Sequence, residues 1–102
     1  MKTSERITQV ADRIEAVLAS NAEPGANTQA MGELRAAALA LGAGDPYASG
    51  KLVELMAKAQ VFYGPRSIFR LPGTGRRLWN DMHEDLLDRL RMRARVLASQ
   101  GD

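Results

Sequence analysis

His83 is the one side chain of this sequence whose ordinary pKa suits proton shuttling near neutral pH. Its neighbours decide whether it can act. It lies between Met82 and Glu84, with no serine or threonine within one helical turn, so no nucleophile is within reach along the chain. A lone histidine also excludes any site that needs two imidazoles. The absence of cysteine removes thiolate metal sites, disulfides and thiol catalysis. Around His83 stand four carboxylates, Asp81, Glu84, Asp85 and Asp88. Asp81/Asp85 and Glu84/Asp88 are i,i+4 pairs that could hold a divalent cation if another helix brought a second cluster, with Glu15, Glu33 and Glu54 as the available donors. The same row is what a solvated helix face looks like, and that is the reading taken: no metal, no cofactor, and no enzyme.

Glycines raise a second chemistry. Leu71-Pro72-Gly73-Thr74-Gly75 resembles the Leu-Pro-x-Thr-Gly sorting signal of a sortase substrate. The surrounding sequence lacks the apolar stretch and basic tail that should follow such a signal, and the first six residues carry no apolar core for export. The local reading is a turn at Pro72-Gly73 with Thr74 capping the next helix. A phosphate loop of the type Gly-x-x-x-x-Gly-Lys-Ser/Thr is absent. Helices two and three do not suit a helix-turn-helix either, since Lys51 is the only basic residue in the first turns of helix three, which would have to read the bases.

Charge points to recognition instead. The 102 residues carry a net charge of +2, unevenly spread. Residues 1–45 hold four basic and six acidic side chains, and residues 46–102 hold ten basic and six acidic ones. Between residues 55 and 80 stand Lys58, Arg66, Arg70, Arg76 and Arg77 with no acid. Phe69 and Trp79 interleave with these cations. Arginine and aromatic side chains dominate protein-binding hot spots because they join large contact area to directed bonds. Arg66, Phe69, Arg70, Arg76, Arg77 and Trp79 are therefore the candidate partner-binding set. The expected partner is a protein with an acidic surface or one that itself handles nucleic acid. That describes a small regulator, adaptor or inhibitor, including those of phage or plasmid type. The alternative is sequence-independent nucleic-acid binding through Lys58, Arg66, Arg70, Arg76 and Arg77, which would contact phosphates.

The elements that must position these residues are helical. Ile7, Val10, Ala11, Ile14, Val17 and Leu18 recur at the helical period, predicting a first helix over 4–20 capped by Thr3 or Ser4. Met31, Leu34, Ala38 and Leu41 predict a second over 28–42, with Thr28 as its cap. Asp45-Pro46 starts a third over 46–63, and Gly50 raises the option of a later start at Ser49. Leu78, Met82, Leu86, Leu90, Ala94 and Leu97 trace a fourth over 76–98. Along it, Asp85→Arg89 and Asp88→Arg91 are expected ion pairs. The irregular connection 64–75 carries Ile68, Phe69 and Leu71 and reads as a core plug or a binding loop. The expectation is one all-α domain over residues 1–102, a four-helix bundle without a membrane span and cytoplasmic in character. The leucine-rich face of the last helix could exceed what the first three helices cover, which would pair two copies.

Overall fold

A computed structural model describes residues 2–42, 44–65 and 74–102, and Ile68, Phe69, Leu71, Arg66 and Arg70 lie outside them. The helices are α1 (Thr3–Ser20), α2 (Thr28–Leu41), α3 (Pro46–Phe62), α4 (Thr74–Asn80) and α5 (Leu87–Ser99). A π-helical turn, Asp81–Leu86, joins α4 to α5 without interruption, so the three segments make one rod. This is the all-α bundle that the periodicity predicts. No described helix is long and apolar enough to cross a membrane.

Each helix buries the stripe its sequence carries. Ile7, Val10, Ala11, Ile14 and Leu18 of α1 are all buried. α1 lies between α2 and α5, and α3 closes the bundle against α2, α4, the π turn and α5. The buried side chains form one continuous core, with Leu34, Leu55, Phe62, Met82 and Leu90 among the most enclosed. The leucine face of the last rod faces inward as well: Met82, Leu86, Leu87 and Leu90 are buried and Leu97 is partly so. The reason for pairing two copies through those leucines therefore falls away.

The helix starts differ from expectation at three places. α1 begins at Thr3, and neither Thr3 nor Ser4 caps it. Its free N–H groups, those of Thr3 and Ser4, donate instead to the two carboxylate oxygens of Asp102, each at 3.0 Å. A carboxylate at the positive end of the helix dipole outcompetes a local hydroxyl. Asn27, not Thr28, caps α2, its side-chain oxygen accepting from Ala30 N at 3.0 Å. Thr74 is already helical rather than preceding its helix. α3 starts at Pro46 as Asp45-Pro46 dictates, so Gly50 does not delay it.

The π turn has a legible cause. Leu78, Met82, Leu86, Leu90 and Ala94 repeat every four residues. At 3.6 residues per turn, a four-residue step drifts about 40° around a helix. Over that run the drift would carry the stripe nearly to the opposite side. One turn with an extra residue cancels part of it and lets both Leu86 and Leu87 face the core.

The far end of α3 is fastened by the α1–α2 connection. Gly25 N donates to Phe62 O and Asn27 N to Tyr63 O, both at 2.9 Å. Tyr63 returns a bond from its hydroxyl to Asn21 O at 2.7 Å. Gly25 takes φ 130°, a conformation that favours glycine. Gly64 is required for a different reason: a Cβ there would lie 2.1 Å from Gln60 O.

Candidate functional site

Trp79 is held by ring contacts on α3 and on the π turn. It packs on Phe62 with centroids 5.7 Å apart, and His83 stacks on it at 5.2 Å, nearly parallel at 11°. Phe62 in turn meets Tyr63 edge-on at 4.8 Å. The spacing of Trp79 and His83 puts them on one face of the rod. Among the described residues His83 has no hydrogen bond to a hydroxyl or a carboxylate. Its role in this arrangement is to cover the indole.

Arg76 and Arg77 occupy the second turn's approach to Trp79 and are exposed. Arg76 is three residues before Trp79 and shares its side of the helix. Neither arginine pairs with a carboxylate among the described residues. Lys58 differs. Its ammonium meets Asp81 at 3.3 Å, so the acid just past the basic stretch neutralises the cation at its start. Of the candidate set, then, Arg76 and Trp79 share one side of α4, whereas Arg77, two residues from Trp79, projects from another side. Arg66, Phe69 and Arg70 fall outside the described residues.

Three other arginines of the rod, Arg89, Arg91 and Arg93, are engaged. Arg89 pairs with Asp85 at 3.0 Å, as the i,i+4 spacing predicts. Arg91 does not pair with Asp88. It reaches across to α1, to Asp12 at 2.8 Å and Glu15 at 2.5 Å, because two carboxylates on a neighbouring helix offer more than one on its own. Both hold its guanidinium above its ordinary pKa, with the Asp12 bond the largest cause. Arg93 grips Asp45 through two parallel bonds of 3.1 and 2.9 Å. Asp45 also accepts from Ala48 N at 2.9 Å, which makes it the cap of α3. The Arg93 bond holds the Asp45 carboxyl below its usual 3.8, against the opposing effect of burial, and the Ala48 bond adds to the lowering.

This Asp45–Arg93 clamp seats Tyr47 at the rim of a groove between α3 and α5. The groove encloses about 510 Å³ and is lined by Tyr47, Asp88, Arg89, Met92 and Val96 among others. Lys51 Nζ and Arg93 Cζ stand 5.4 and 5.9 Å from the Tyr47 ring centre, within cation–π reach. Nothing local in the sequence pairs Tyr47 with a helix forty residues on, which is why the groove escapes sequence reasoning.

The carboxylates around His83 are dispersed by the same pairings. Asp81 faces Lys58 and Asp85 faces Arg89. Among the described residues no three metal-ligating side chains converge. Compared with known proteins, the chain matches no family model, no curated protein and no solved structure.

Proposed function

We propose that this protein is a non-enzymatic interaction module, a small regulator, adaptor or inhibitor. It binds an acidic protein, or one that handles nucleic acid, through the basic and aromatic region 64–80. The observation that carries the reading is an exposed guanidinium, Arg76, on the same side of α4 as the half-buried Trp79. Arg89, Arg91 and Arg93 are each bound to carboxylates of this chain, whereas Arg76 and Arg77, like Arg6, Arg13, Arg35 and Arg95, stand exposed and without an ion pair among the described residues, and of these Arg76 is three residues from Trp79. An exposed guanidinium beside a half-buried indole can meet a carboxylate and an apolar surface in one contact. Trp79, braced by Phe62 and His83, would lose little freedom on binding.

The test is charge reversal. Arg76→Glu with Arg77→Glu should abolish recovery of the protein partner in affinity purification from the native cell, while the melting temperature stays within about 2 °C because exposed sites contribute little to stability. Unchanged recovery overturns the assignment. Retention of duplex DNA at low salt with no protein recovered would replace it with phosphate binding, whose affinity falls linearly in log salt.

A further inference from the structure

We infer that the outward face of α5 docks a second copy of this chain, antiparallel, with Asp88 of each copy paired to Arg95 of the other. The face is centred on Met92, which is 52% exposed. Leu87, Leu90 and Ala94 point the opposite way into the core, so Met92 faces directly outward. Val96, 43% exposed, and Tyr47 flank it.

Two charges give the face its direction. Asp88 loses its expected i,i+3 partner because Arg91 crosses to Asp12 and Glu15. Among the described residues neither Asp88 nor Arg95 has an ion pair, and both are exposed. Glu5 lines the shallow groove beside Arg95 but does not bridge to it. Asp88 and Arg95 are seven residues apart, so they lie on one side of the helix about 10 Å from each other. A two-fold axis midway between them passes at the level of Met92. That axis sets Asp88 against Arg95 twice and Met92 against its own copy. A like-sign pair at these two positions would forbid this docking, and the pair present is opposite in sign.

The groove between α2 and α3 is the more apolar alternative, with Leu39 80% and Val53 70% exposed. It carries no charge pattern that selects an occupant. A single-helix seam is smaller than the roughly 800 Å² per partner of a standard interface, so the association is weak and concentration-dependent.

Sedimentation across a concentration series tests this. The full chain should move from 11.1 kDa towards twice that mass as concentration rises. Asp88→Arg alone and Arg95→Asp alone should each weaken association about tenfold or more, since like charges then meet twice. Mixing the two single variants should restore it as a mixed dimer, and so should the double exchange within one chain. A mass of 11.1 kDa throughout overturns the inference. So does association that ignores these exchanges but disappears with Leu39→Glu and Val53→Glu, which would assign the seam to α2 and α3.

Discussion

Asp45 does two jobs with one carboxylate. It caps α3 through Ala48 N and anchors Arg93 from α5, while only 5% of its surface remains exposed. Replacing it with alanine removes the cap and strands the guanidinium, a loss of about 1–3 kcal/mol by chemical denaturation. Its lowered native pKa sets a pH dependence of defined sign. The unfolded carboxyl binds its proton more readily than the native one, so the stabilisation is complete above about pH 4 and fades as pH falls below 3.8 towards the lowered native value. Asp45→Asn should flatten that acid limb of the stability curve. Tyr63 has the opposite limb. Burial pushes its hydroxyl up to about 12, so its contribution is present below pH 10 and is lost as pH rises from 10 towards 12. Tyr63→Phe deletes the bond to Asn21 O and should cost about 1 kcal/mol at neutral pH, measured by the same denaturation.

At the scale of elements, the π turn makes a sharp prediction. Deleting Glu84, an exposed residue within it, should leave an ordinary α-helix whose two halves keep their faces, and the protein should still unfold cooperatively. Deleting Arg89 instead turns everything beyond it by about 100°, takes Leu90 and Ala94 out of the core, and should abolish cooperative unfolding. The helices themselves were legible because their apolar spacing is local: Ile7 to Leu18 needs no partner to be read as a stripe. The π turn was missed: the expectation over 76–98 is one unbroken helix with Leu78 to Ala94 on one face, although five apolar residues at strict four-residue spacing cannot stay on one side of an α-helix. The cap of α1 was not legible either. Asp102 lies 99 residues from Thr3 and nothing near either position marks the pair. Asp102→Ala should lower stability by about 1 kcal/mol, as loss of a helix cap does, whereas Thr3→Ala should cost little.

The whole molecule is a rod of 47 × 22 × 21 Å, held across its length by contacts between distant parts of the chain. Of the candidate site, the exposure of Arg76 and Arg77 and the half-burial of Trp79 follow from their places on the amphipathic rod and were legible from type and spacing. The neutralising of Lys58 by Asp81 was not, because it depends on how α3 lies against the π turn. Gly64 shows how narrow that packing is. Gly64→Ala drives a methyl into Gln60 O and should cost about 1–3 kcal/mol, read as a lower melting temperature.

The single tryptophan has a practical consequence. Trp79 lies against an imidazole and a phenyl ring at one corner of the rod, so all indole emission from this protein originates there. Fluorescence excited beyond the tyrosine band therefore reports on that corner alone, without an attached dye. A ligand landing elsewhere on the surface would leave the emission spectrum as it was.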